Sequence, residues 1–271
     1  MRKIFLYLFL SLPFGFCQAQ MVRTPVGSVY TRLSAYTPRF ADAFSMGANQ
    51  GVLADLQTFS AGVSGERRFM LQDLPLYLAA VALPTNRGNF GFSASYSGST
   101  TYNESAMGLA YARKLGAKVS LGVQFNYQSI TVQGYGSTSA VNAEAGALFH
   151  ATDKLHLGVH AYNPTSVRLG KGEERLPAIF TSGAGYEVSD HFFASAEVQK
   201  TEGQPLSVNA GMQYGFGRQA FARGGFSSAN ESFYLGIGLL LKGFRLDATA
   251  SVHPQLGVTP GIMLLYNRSA K

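Results

Sequence analysis

Along most of the chain apolar and polar residues alternate with a period of two, in stretches of about nine to twelve residues separated by turn chemistry, which is the pattern of strands with one greasy and one wet face. In the clearest stretch Val119, Leu121, Val123, Phe125 and Tyr127 share one side, and Ser120, Gly122, Gln124, Asn126 and Gln128 the other. From Ser129 the parity slips, with Ile130 and Val132 now apolar, which predicts a β-bulge. The same rule sets Leu155, Leu157, Val159 and Ala161 against His156, Gly158, His160 and Tyr162. It sets Phe244, Leu246, Ala248, Ala250 and Val252 against Arg245, Asp247, Thr249, Ser251 and His253. Marking every such run predicts fourteen strands, over residues 58–67, 74–83, 89–97, 103–114, 118–133, 140–151, 154–162, 177–188, 191–200, 205–216, 219–227, 231–241, 244–252 and 259–267.

Every second connection is tight: Leu115 to Ala117, Thr152-Asp153, Ser189-Asp190, Gly217-Arg218 and Lys242-Gly243. The connections between them are longer or more polar, above all Asn163 to Leu176. Outer-membrane barrels have short periplasmic turns and longer external loops, so both ends of the strand region are expected on the periplasmic side. The outward parity places Phe90, Tyr111, Phe149, Tyr186, Phe192, Tyr214, Phe216, Phe244 and Tyr266 beside the tight turns, an aromatic girdle, with Tyr96, Phe226 and Phe233 as external counterparts. A soluble β-sandwich also alternates, but seldom runs to so many strands with aromatics gathered on one rim. The reading is all-β: a closed antiparallel transmembrane β-barrel of about 14 strands spanning residues 58–267, since hydrocarbon satisfies no backbone group and only closure leaves no strand edge unpaired.

Residues 1–19 read as a cleaved signal peptide: Arg2 and Lys3, an apolar stretch from Ile4 to Phe16, and a small residue at Ala19. Phe16 ahead of Cys17 argues against lipidation, where a small residue is wanted. Beyond it the longest apolar run is Leu76 to Leu83, too short for a spanning helix. Residues 20–57 alternate poorly and are expected to form a periplasmic or plug segment, with a short amphipathic stretch near Arg39 to Leu56. Inward glycines at 91, 108, 122, 146, 158, 211 and 236 would let such a segment approach the wall closely.

Composition narrows the classes further. With 46% apolar, 13% aromatic and 14% charged residues, extended disorder is excluded. One cysteine excludes a disulfide framework. The net charge of +7, or +5 without Arg2 and Lys3, is spread over turns and gives no basic stripe for nucleic acid. Inward ionisable residues are few, and the lumen-lining polar candidates are Glu144, His150, His156, His160, Glu197, Arg223, Arg245 and Asp247. His156 and His160 lie about 13 Å apart along a strand, too far to share a metal without a bend, so no metal is expected. No G-x-S-x-G elbow or phosphate loop occurs, so neither catalysis nor a cofactor is expected. So few lining charges favour a narrow or plugged lumen over an open ion-conducting pore. In the long external connection Arg168, Lys171, Glu173, Glu174 and Arg175 are candidates to meet a protein partner.

The stretches Ala41 to Asp55, Ala61 to Leu71, Tyr102 to Tyr127, Gln133 to Ser137, His156 to Pro164 and Leu256 to Tyr266 together resemble the PorV/PorQ group, FadL-like outer-membrane barrels of Bacteroidetes, several of which serve the type IX secretion system. Gln57 to Ala61 reads QTFSA where that superfamily commonly carries an Asn-Pro-Ala element. The resemblance implies a non-enzymatic outer-membrane protein surrounded by lipid and lipopolysaccharide, acting as an accessory or docking component for secretion-system proteins or their cargo. The alternative it implies is FadL-like passage of a small hydrophobic ligand, with Ala41 to Asp55 as a hatch.

Overall fold

The computed structural model describes residues 33–170, 175–217, 219–229 and 231–268 of the chain. The expected signal peptide lies outside them. Fourteen strands follow one another: β1 (Ser60–Arg67), β2 (Pro75–Thr85), β3 (Gly88–Gly98), β4 (Tyr102–Leu115), β5 (Val119–Val132), β6 (Gly136–His150), β7 (Leu155–Tyr162), β8 (Ile179–Glu187), β9 (Phe192–Thr201), β10 (Leu206–Phe216), β11 (Ala220–Ser227), β12 (Ser232–Leu241), β13 (Phe244–His253) and β14 (Gly257–Asn267). Each pairs antiparallel with its neighbours in sequence, and β1 closes on β14 with Ser60 opposite Asn267. No sheet edge remains, as a wall in hydrocarbon requires.

The outer face is the continuous apolar surface that alternation predicts. Leu109, Phe125, Val141, Val159, Leu235, Ile237 and Ile262 are more than half exposed. Such a belt is stable only against lipid. At the end of the tight turns the girdle aromatics meet as cross-strand pairs, with ring centroids of Phe90 and Tyr111 5.1 Å apart and of Phe244 and Tyr266 5.0 Å apart. Pairs of this kind are each worth roughly 0.5–1.5 kcal/mol beyond the area they bury. Tyr96 and the paired Phe226 and Phe233 stand exposed toward the other end, joined by Tyr77 opposite Tyr96. The β12–β13 hairpin shows how the tight turns are made. Lys242 and Gly243 both have positive φ (44° and 91°), the handedness that matches the twist of the flanking strands.

Three expectations fail. No bulge occurs at Ser129, because β5 pairs without interruption with β4 and β6 through Val132. Ile130 keeps its inward parity and is apolar because it packs against Ala140, Leu169 and Leu176 at the mouth. The stretch from Arg39 to Leu56 is not an amphipathic helix but separate 3₁₀ turns, Pro38–Phe40, Ser45–Gly47 and Gln50–Asp55, the first and last capped by Thr37 and Asn49. The mouth connections are also shorter than expected: Ser99 to Thr101 and Gln133 to Tyr135 are as brief as the tight turns, and Arg68 to Leu74 and Asn163 to Ala178 are the longer ones.

Candidate functional site: the filled and the open half of the lumen

Residues 33–56 lie inside the barrel and fill the half nearest the tight turns. Two apolar clusters bind them to the wall. Phe44, Met46, Leu53 and Leu56 pack against Leu78, Ala80, Ala110, Met263 and Leu265. Leu33, Tyr36 and Phe40 pack against Phe193 and Tyr234, with Phe40 and Phe193 edge to face at 5.3 Å. Glycine makes the approach possible. A Cβ at Gly122 would stand 2.4 Å from the backbone of Gln50, one at Gly146 2.2 Å from Asn49, and one at Gly158 2.8 Å from the Tyr36 ring. Gly91 and Gly211 face Met46 and Leu33 in the same way, whereas Gly108 and Gly236 meet side chains of the wall itself.

The polar residues singled out in the sequence divide into groups, each attached to this inner segment. Glu144 is the hub of the first. It accepts hydrogen bonds from the Gln50 side chain at 2.9 Å and from Asn126 at 2.6 Å, and faces His160 Nε2 at 2.9 Å. Glu197 accepts from the Tyr36 hydroxyl at 2.8 Å and from Asn209 at 2.9 Å. Arg223 donates to Asp247 at 2.6 Å and to Gln213 at 2.6 Å. Arg245 lies 3.4 Å from the same Asp247 oxygen and reaches Asp42 of the inner segment at 3.1 Å. Every charge in this last group is buried, so each depends on its partner for stabilisation.

His150 and His156 occupy directly opposed positions on β6 and β7, with Nδ1 atoms 3.1 Å apart. His150 also reaches the inner segment. Its Nε2 lies 3.4 Å from Asp55, which Lys114 also meets at 2.8 Å. His156 lies 3.7 Å from Glu187, which accepts from Thr37 at 2.6 Å. His160 belongs to the Glu144 group instead. The histidines are therefore not one cluster, and among the described residues no group of three metal-binding side chains converges. The inner-segment partners Tyr36, Asp42, Asn49, Gln50 and Asp55 went unnoticed in the sequence, as did Asn89, which donates to the Leu53 and Leu56 carbonyls at 2.7 and 2.9 Å. Their one sequence signal is the coincidence of inward glycines with a segment too irregular to be a strand.

Beyond the inner segment the lumen is open. A cavity of ≈ 620 Å³ has Ala35, Gly47 and Ala48 as its floor and the connections at Phe69, Gln204, Ser228 and Leu256 as its rim. Arg68 and Glu66 line it; burial holds the Arg68 guanidinium below its ordinary pKa, against the opposing pull of Glu66 and Glu104. The long connection folds partly over this mouth: Gly170 donates to the Ser139 carbonyl, and Leu169 and Leu176 are buried. Arg168 and Arg175 pair across a short bridge and point to solvent, while Lys171, Glu173 and Glu174 lie outside the described residues. A second hollow of ≈ 630 Å³ lies on the outer face, where Ala145, Ala147 and Ala161 leave a dip between Leu121, Val123 and Phe180. Its walls are the hydrocarbon face, and it is part of the lipid surface rather than a passage.

A 14-strand closed barrel with an N-terminal segment packed in its lumen matches FadL-like outer-membrane barrels in fold. Among solved structures, this chain is similar to a FadL homologue of Pseudomonas aeruginosa, with a TM-score of 0.67 and 14% identity over 92% of this chain and 100% of that one. It is likewise similar to the monoaromatic hydrocarbon channel CymD, with a TM-score of 0.65 and 12% identity over 90% and 98% of the two chains. The Pseudomonas putida toluene transporter TodX aligns with a TM-score of 0.64 and 10% identity over 89% and 97%. No protein-family model matches the sequence, and no curated protein does.

Proposed function

We propose that this protein is a non-enzymatic outer-membrane channel that takes up small, largely apolar organic compounds through the lumen, its inner segment serving as a hatch. The observation that carries this reading is the division of the lumen into a filled half and an open cavity, on a fold shared with hydrocarbon channels. A channel for ions would need a continuous wet path, and the hatch interrupts it with the apolar contacts of Phe44, Met46 and Leu53. The accessory role in secretion implied by the PorV/PorQ resemblance, and the Bacteroidetes setting with it, gain no support from these neighbours. The connection that would meet a secretion partner turns Leu169 and Leu176 inward against Ala140 and Ile130, and Leu176 lines the cavity.

Uptake of N-phenylnaphthylamine, which lipopolysaccharide excludes and which fluoresces on entering the membrane, tests the proposal. Cells carrying the barrel should take up the probe several-fold faster than cells without it. Equal rates, together with loss of exported proteins on deletion, would replace this reading by the secretion role.

A further inference from the structure

The open cavity is not lined as a site for a bare hydrocarbon would be. Across adjacent strands β7 to β10 the inward residues His160, Thr181, Gln199 and Ser207 stand directly opposite one another, a polar ladder at the spacing of paired strands, about 4.8 Å. Ser207 is 5% exposed and its hydroxyl has no hydrogen-bond partner among the described residues. Gln128 is 7% exposed; its amide donates to the Tyr162 hydroxyl at 2.7 Å, but its carbonyl oxygen is likewise unpartnered. Both side chains line the cavity. A buried polar atom left without a partner is costly, and native proteins keep such atoms mainly where something else supplies the bond.

The rest of the wall says what that something is. Phe69, Ile179 and Tyr234 give the cavity apolar surface. The acidic residues lining it, Glu66 and Glu197, match or exceed the single guanidinium of Arg68, so the wall offers an anion no cationic surplus. We infer that the cavity selects neutral amphipathic compounds, an apolar body carrying a hydroxyl or amide that donates to the Gln128 carbonyl oxygen on β5 or, five strands round the barrel, pairs with the Ser207 hydroxyl on β10. This rests on the uptake reading above and narrows it: fatty carboxylates and unsubstituted hydrocarbons are the poorer ligands. A site built around hydrogen-bonding groups discriminates strongly against an analogue lacking them, because its own buried groups are then left unpaired.

Toluene, p-cresol and p-toluate share one ring and differ in the group tested. Binding of each to the full-length barrel in lipid nanodiscs is measured by ligand-observed NMR, which needs no tryptophan in the protein. The order expected is p-cresol tighter than toluene by about tenfold, with p-toluate weakest, in line with the discrimination a hydrogen-bonding site achieves. In Gln128→Leu/Ser207→Ala the preference of p-cresol over toluene should fall to about twofold or less, with toluene binding retained, because only the polar partners are gone. Equal binding of toluene and p-cresol by the unaltered protein overturns the inference and leaves the uptake reading intact. Tightest binding of p-toluate also overturns it, and so does a preference that survives in the double variant. Absence of binding by all three overturns the uptake reading as well. Since the comparison of ligands is made first on the unaltered protein, a variant that fails to fold does not decide the matter.

Discussion

The two halves of the lumen are built from the same strands and solve opposite problems. In the half nearest the tight turns, the inward positions are glycine, an apolar side chain such as Leu78 or Met263 that packs on the inner segment, or a polar side chain, and several of the polar groups meet one on that segment: Glu144 to Gln50, Glu197 to Tyr36, Glu187 to Thr37, Arg245 to Asp42. In the outer half no segment covers the inward side chains, so the unpartnered atoms of Gln128 and Ser207 belong to residues lining an open cavity, whereas that of Gln50 is enclosed in the filled half. A barrel interior is thus polar for two different reasons. One set of groups holds the inner segment against the wall, and the other is the set that the proposed ligand would meet.

The largest disturbance of this contrast comes from cutting the buried charge group on the filled side. Arg245→Met leaves Asp42 and part of Asp247 uncompensated away from water and should cost about 3–5 kcal/mol, read as a lower temperature of heat-modifiable migration on a gel. Adding Asp42→Leu should restore part of the loss, whereas two independent groups would give additive losses. A smaller effect, about 1–3 kcal/mol, is expected from Gly122→Val, whose Cβ would stand 2.4 Å from unyielding backbone of the inner segment. There the barrel should survive while the hatch loosens, so that the ion conductance of single barrels in planar bilayers rises. An unchanged conductance would show that Gly122 does not seat the hatch.

Tyr36→Phe sharpens the comparison from within. It removes the hydrogen bond to Glu197 while keeping the ring against Gly158, and should cost roughly 1–3 kcal/mol because a charged acceptor loses a donor. The smallest effect belongs to the mouth. Glu202, in the turn after β9, accepts from the Ser166 hydroxyl and the Ala178 amide, and these bonds hold its carboxyl below the usual carboxylate range. A group whose pKa is lowered by folding stabilises above its unfolded value, so this latch is complete at neutral pH and is lost as pH falls from about 4.5 through the lower folded value. The protection factor of the Ala178 amide, its exchange rate relative to the intrinsic rate at the same pH, should fall over that range, and in Glu202→Gln it should no longer change with pH.

The barrel could be read from the sequence because lipid imposes a rule on every strand: the outward parity of Leu121, Val123 and Phe125 admits almost no exception. The mouth escaped that rule. Ile130 looks like a register error in the sequence because its apolar neighbours, Leu169 and Leu176, lie far along the chain on a connection that folds back over it. The candidate site was half legible for the same reason. Parity marks Glu144, His160, Glu197, Arg223, Arg245 and Asp247 as inward, but not whom they meet. Tyr36, Asp42 and Gln50 reach them through an irregular segment of 3₁₀ turns whose path no period encodes. Sequence parity likewise cannot tell a paired inward residue from an unpaired one, so Gln128 and Ser207 look no different from Asn126 or Asn209.

The claim on which the rest depends is that residues 33–56 close the inner half of the lumen and leave the outer half open to the cell exterior. Labelling single cysteines with a membrane-impermeant maleimide on intact cells, after Cys17→Ser, addresses it directly. Gly47→Cys places its thiol on the cavity floor, where a Cβ meets nothing within 4 Å. Ser120→Cys places one on the fully buried inward face beneath the hatch, beside Asp55. The account predicts rapid labelling at position 47 and none at position 120. Equal labelling at both would contradict it, and so would protection of position 47.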